Sequence, residues 1–214
     1  MADGPTVGFA PFATPTDGVL VVFCDDAVRL GPAAALVGRA AAADRFKGKR
    51  GSSLELVAPG DLKLARLVVV GCGKPDDMKR KDFVNLGGTA MGKVPSRAAT
   101  ATIVAELPGK AMTAEQAAAL ALGVRLRGYA FDRYKTKRKE DDEKPRALKV
   151  VIGVADVARA RAAWSHKGGL ADAVVLARDL INEPANVLFP VEFARRAGAL
   201  KRLGVSIDVL DVAA

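Results

Sequence analysis

The sequence predicts a layered α/β domain, with helices on both faces of a largely parallel sheet, followed by the opening of a second α/β domain that breaks off. Three observations carry this. Short β-branched runs alternate with segments of helical spacing through the first 155 residues. The run Leu67 to Val70 is apolar throughout, as a strand covered on both faces should be. The last segments read as a helix and then one strand, which is half of a βαβ unit.

The elements follow in order. Val7 to Phe9 and Val19 to Cys24 are strands, separated by Pro11, Pro15 and the Asp17-Gly18 turn signal. Pro32 opens a helix that runs to Phe46, with Leu36, Val37, Ala40 and Ala43 on one face and Gly48 as its stop. Leu54 to Val57 and Leu67 to Val70 are strands divided by Pro59-Gly60. A helix over Lys79 to Lys93 repeats Phe83, Leu86 and Ala90 at the 3.6-residue period, and Thr100 to Ala105 is a strand.

Thr113 and Gln116 stand at the spacing of a capping box before a helix that carries Ala117, Leu120, Ala121, Val124 and Leu126 towards Tyr129. The charged run Lys135 to Lys144 separates it from a strand at Lys149 to Ile152. Leu170, Ala173, Val174, Ala177, Leu180 and Ile181 form an amphipathic stripe over residues 170–182, with Gly168-Gly169 at its start or at a kink, and Pro184 ends it. Pro190 opens a helix to Leu203, Gly204 stops it, and Val205 to Leu210 reads as a strand.

Composition narrows the partners. Half of the 214 residues are hydrophobic and 27% are charged, which excludes disorder, collagen and coiled coil. The formal charge is +9. Residues 1–160 carry 26 basic and 18 acidic groups, a net of +8, so an anion-seeking surface would belong to that part. Aromatic content of 5% leaves little for a base-stacking platform. Cys24 and Cys72, far apart in apolar contexts, fit a reduced cytoplasmic protein. The N-terminus lacks the basic and apolar regions of a signal peptide, and no apolar run approaches a membrane span.

The chemistry-bearing residues do not assemble into a constellation. Gly71-Cys72-Gly73-Lys74 after an apolar strand has the look of a phosphate-binding turn, yet lacks the third Gly of a dinucleotide fingerprint and the length and Ser/Thr of a P-loop, so a plain turn is expected. His166 is the sole histidine, and Ser165 beside it lies in no nucleophile elbow. Positions 24, 72 and 166 match no zinc-ligand spacing. Asp25-Asp26, Asp76-Asp77 and Asp141-Asp142 suit solvated turns better than a divalent cation. Lys135-Thr136-Lys137-Arg138-Lys139 is largely neutralised by Glu140-Asp141-Asp142-Glu143. No residue of this chain is assigned a catalytic, cofactor-binding or metal role.

Two segments go further. Ala177-Arg178-Asp179-Leu180-Ile181-Asn182-Glu183-Pro184-Ala185-Asn186-Val187-Leu188-Phe189-Pro190, continuing to Glu192-Phe193-Ala194, closely resembles the signature that joins the two domains of the leucyl aminopeptidase (cytosol aminopeptidase) family. Tyr129-Ala130-Phe131-Asp132-Arg133-Tyr134-Lys135-Thr136-Lys137 resembles that family's stretch before the linker. Gly71-Cys72-Gly73-Lys74 is similar to its glycine-lysine turn, with Cys72 where a larger apolar residue is common.

The resemblance implies a macro-domain-like α/β domain at residues 1–160, a linker helix at 161–182, and the start of a catalytic domain at 183–214. It implies a parent enzyme, typically a hexamer, that hydrolyses peptides with two divalent metals, Mn or Zn, whose ligands lie downstream of this chain. The piece itself is then expected to be inactive and structural, with Asn182, Glu183 and Asn186 shaping the interdomain turn in preference to the alternative, an approach to the active site. The alternative, motivated by the +8 and the macro-like resemblance, is binding of nucleic acid, weak DNA binding included, or of an ADP-ribose-like ligand.

Overall fold

The computed structural model describes residues 4–30, 34–60, 62–136 and 148–210. Eight strands are found among them: β1 (Thr6–Pro11), β2 (Val19–Cys24), β3 (Ser53–Val57), β4 (Arg66–Gly71), β5 (Thr100–Val104), β6 (Glu106–Leu107), β7 (Lys110–Ala111) and β8 (Lys149–Val154). The helices are α1 (Ala34–Ala43), α2 (Arg80–Gly92), α3 (Ala114–Arg127), α4 (Val157–Asn182) and α5 (Pro190–Gly198). Contacts divide the chain into two compact units, Ala2–Val175 and Leu176–Ala214.

The first unit is a six-stranded sheet in the order β1-β8-β5-β2-β4-β3. All neighbours are parallel except β3, which runs antiparallel to β4 at the edge. The expected mostly parallel α/β layering is therefore present. Strand β4 shows why Leu67 to Val70 had to be apolar. Val68 and Val70 enter one core with α2, α3 and the first turns of α4, while Leu67 and Val69 enter a second with Val37 and Ala41 of α1. Alternate side chains of a strand face opposite sides, so a sheet covered on both faces has no polar position to spare.

Helices α2 and α3 approach so closely that their glycines are required. A Cβ on Gly123 would stand 1.9 Å from the Val84 carbonyl oxygen, and one on Gly87 would stand 2.0 Å from that of Leu120. The alanine-rich buried face of α3, Ala117 through Ala121, is what permits this spacing. Its start matches the sequence signal: Thr113 Oγ1 accepts the Gln116 N–H at 3.3 Å, and Gln116 Oε1 accepts the Thr113 N–H at 2.8 Å.

Five readings need correction. Val205 to Leu210 forms no strand among the described residues; a strand exists only by pairing, and this segment has no partner there. The helix expected over 170–182 begins at Val157, because Asp156 caps it, its Oδ1 accepting the Arg159 N–H at 3.0 Å. Gly168-Gly169 causes no break, and Gly168 instead lets the Trp164 indole lie against the backbone, 3.3 Å from where a Cβ would be. The helix α1 does not reach Phe46 or use Gly48. It closes at Arg45, whose φ of 53° lets Phe46 N–H reach Ala41 O at 2.9 Å and Arg45 N–H reach Ala42 O at 3.3 Å. Pro32, its expected opening, lies outside the described residues. The terminal helix is α-helical only to Gly198 and tightens to a 3-10 helix at Ala199–Leu203. The short β6–β7 hairpin was not anticipated; two-residue strands carry no periodic signal.

Candidate functional site

The carboxyl ends of parallel strands are where an α/β sheet offers a crevice. Here the residues following β2 and β4 meet the loop after α1. Asp25 is fully buried at the end of β2, and its carboxylate accepts the N–H groups of Ala27 (3.1 Å) and Arg29 (2.9 Å) and the Arg29 guanidinium (2.5 Å). Burial alone would raise its pKa, but the hydrogen bonds and charge of Arg29 prevail and hold the carboxyl below its ordinary value. The group is thus a turn-forming anchor, already saturated with donors.

The same saturation settles the glycine-lysine turn. The N–H of Gly71 donates to Ser52 O at 2.9 Å, that of Cys72 to Cys24 O at 2.8 Å, and that of Gly73 to Gly48 O at 3.1 Å. A phosphate cradle needs those donors aimed outwards. Gly71 and Gly48 are small because chains cross here: a Cβ on Gly71 would lie 2.3 Å from Lys49 O, and one on Gly48 only 1.9 Å from Asp25 O. The plain-turn reading is the one the geometry supports.

Cys24 and Cys72 are free and buried, and they belong to opposite faces of the sheet, Cys24 with the α1 core and Cys72 with the α2–α3 core. Burial pushes the Cys24 thiol up to about 12 and that of Cys72 to about 11, so neither is a thiolate at neutral pH. His166 is exposed on α4, and the Ser165 hydroxyl donates to Ala162 O at 2.9 Å. Asp26, Asp76 and Asp77 are exposed, and Lys135 pairs with Asp132 at 2.5 Å. Asp141-Asp142 and most of the 135–144 charge run lie outside the described residues. Among the described residues, no group of three or more His, Cys, Asp or Glu side chains is arranged to hold a metal ion. The two-metal chemistry implied by the resemblance does not fit the donors described here.

In the second unit, the turn after α4 is organised by ion pairs. The Glu183 side chain is fully buried and accepts from Arg196 Nη1 at 3.1 Å. Arg196 also donates through Nε to Glu192 at 2.8 Å, and Arg195 grips the same carboxylate with Nε at 2.6 Å and Nη2 at 2.7 Å. Those two guanidinium groups hold the Glu192 carboxyl near 2. Pro184 O accepts the N–H groups of Val187 and Leu188, both at 2.9 Å, which closes the turn. The sequence marks Glu183 as a turn residue, whereas its partner Arg196, thirteen residues later, carries no local signal.

A mostly parallel six-stranded sheet covered on both faces, followed by a long helix and an ion-paired turn, is the α/β architecture that the described residues define. The model of the cytosol aminopeptidase family, N-terminal domain, matches residues 21–138, and the chain belongs to that family. A probable cytosol aminopeptidase of Afipia carboxidovorans is 54% identical over all of this chain, which spans 44% of the relative. One from Rhodopseudomonas palustris strain BisB18 is 52% identical with the same coverage. The chain therefore spans less than half the length of these relatives. Among solved structures, a tomato leucine aminopeptidase mutant superposes with a TM-score of 0.80 at 22% identity, over 100% of this chain and 46% of that one. A bottromycin maturation enzyme, BotP in complex with Mn, gives 0.66 at 25% identity, over 87% of this chain and 36% of that one. Among the described residues, no helix is long and apolar enough to cross a membrane.

Proposed function

We propose that this chain is the N-terminal portion of a metal-dependent, cytoplasmic and hexameric aminopeptidase that releases N-terminal residues from peptides, and that residues 1–214 contain none of its catalytic groups. Residues 1–160 form its macro-like domain, 161–182 its linker helix, and 183–214 the beginning of the catalytic domain. The observation that carries this is the pairing of a whole-chain match to cytosol aminopeptidases with a described set of carboxylates, thiols and imidazole that nowhere converge. A divalent metal, Mn or Zn, would supply Lewis-acid chemistry to the parent enzyme, and no residue of 1–214 is assigned to hold it. What this chain supplies is packing: a rigid layered domain and an ion-paired turn at Glu183, Glu192 and Arg196.

Hydrolysis of leucine p-nitroanilide with Mn²⁺ or Zn²⁺ tests the proposal. Residues 1–214 alone should show no metal-dependent turnover, and their fusion to the remaining portion of the Afipia relative should restore it. Turnover by 1–214 alone overturns the assignment.

A second reading, nucleic-acid or ADP-ribose-like ligand binding, rests on the net +8 of residues 1–160. DNA retention that falls steeply with salt supports the first form. No retention at low ionic strength, together with no thermal shift at millimolar ADP-ribose, removes both.

A further inference from the structure

The described residues contain three non-glycine residues in the left-handed region, Val28 (φ 57°), Arg45 (φ 53°) and Ala58 (φ 44°). Two of the three line one open depression of about 400 Å³, where the turn after β2 meets α1 and the loop that follows it. Its wall is apolar and built of small groups, Ala41 and Ala42 with Gly38, together with Val28 and the partly buried ring of Phe46. Its charged members are Arg45 and Lys47, and no acidic residue lines it. Neither cation forms an ion pair with a described residue, and the Asp25 carboxylate nearby is committed to Arg29.

Arg45 is the informative residue. It occupies the position just past α1 where the chain must turn left-handed, and glycine meets that requirement without the Cβ clash. Arg45 is exposed and lines the depression, although its backbone position is one that glycine fills without strain. Val28 is β-branched, the side-chain type least suited to positive φ, and is held there by the Asp25 turn, its N–H donating to Asp25 O at 3.0 Å.

We infer that this depression is a binding site for a small organic carboxylate with an apolar body, the carboxylate received by Arg45 and Lys47 and the body by Val28, Ala41 and Phe46. Two cations in a lining that is otherwise apolar and holds no acidic residue favour an anion over its neutral analogue. The inference rests on the depression alone and not on the aminopeptidase reading.

The probe is 4-methylpentanoate, with 4-methylpentanamide as its neutral isostere, titrated to 20 mM into the ¹⁵N-labelled 214-residue protein. Millimolar affinity is expected for a ligand of this size. The acid should shift the amides of Gly38, Ala42 and Phe46, and the amide should bind at least tenfold more weakly. Arg45→Gly should lose the acid by at least tenfold without lowering the thermal midpoint, because glycine suits the turn; Lys47→Gln should weaken binding while leaving the spectrum folded. The inference is overturned if acid and amide shift the same resonances equally, if the shifts fall elsewhere or are absent at 20 mM, or if Arg45→Gly binds the acid as the parent does.

Discussion

Gly123→Ala and Gly169→Ala place the same methyl group on two helices and should change stability in opposite directions. In α3, the new Cβ would stand 1.9 Å from Val84 O and 2.8 Å from Gly88 N, both backbone atoms of α2 that cannot rotate away. A comfortable carbon–oxygen contact is about 3.3 Å, so α2 and α3 would have to separate by more than about 1 Å along a face that buries Phe83, Leu86, Leu120 and Val124. Overpacking of this kind costs about 1–3 kcal/mol and more where backbone must move. The gain in helix propensity offsets about 1 kcal/mol, which leaves a net loss of about 2 kcal/mol at the upper end of that range. For a chain of this size that is a fall of about 4–8 °C in thermal midpoint. Gly169 meets nothing within 4 Å and is exposed, so only propensity acts and the protein should gain about 0.5–1 kcal/mol. Urea and thermal unfolding of both variants measure the two signs. A Gly123→Ala protein as stable as the parent would refute the close approach of the two helices.

Asp25→Ala leaves two backbone N–H groups unpaired beside a buried turn and should destabilise by about 2–4 kcal/mol, whereas Arg29→Ala should cost less because the Arg29 side chain is 73% exposed; urea midpoints separate the two. Because the folded-state pKa of Asp25 is lowered, its contribution is present above the unfolded carboxyl value and lost as pH falls through the folded one, which an acid titration of stability in the parent and in Asp25→Asn will show. Cys24 and Cys72 carry pKa values raised from 9.0, so the stability they contribute is complete below pH 9 and declines as pH rises towards 11; a thiol reagent should label neither in the folded protein and both in urea. The Glu192 carboxyl should titrate near pH 2 by NMR, and Arg195→Gln with Arg196→Gln should return it towards its ordinary value of 4.5.

What could be read in advance depended on whether the cause lay nearby in sequence. The capping box at Thr113 and Gln116, the buried strand β4 and the period of α2 are local, and each lies where its residues place it. The end of α1 is local too, but Gly48 competed with Arg45 for the role of stop. Tertiary contact decided: Gly48 is needed against the Asp25 carbonyl, which leaves the left-handed turn to an arginine. The glycine-lysine turn was legible as a turn only, since whether its N–H groups face a ligand depends on carbonyls of Ser52, Cys24 and Gly48, up to 48 residues away. Partnerships between distant residues have no periodicity to betray them, and Glu183 with Arg196 is a second instance. Val205 to Leu210 errs in the reverse direction. Its β-branched composition is a preference for a pleated, half-buried surface and not an intrinsic state of the backbone. Residues 205–210 lie mostly exposed with Val209 and Leu210 at the surface, and no described strand pairs with them. Joining the chain to the remaining portion of the Afipia relative should supply one, and slowed amide exchange across 205–210 in the fusion, against fast exchange in residues 1–214 alone, is the expected signature.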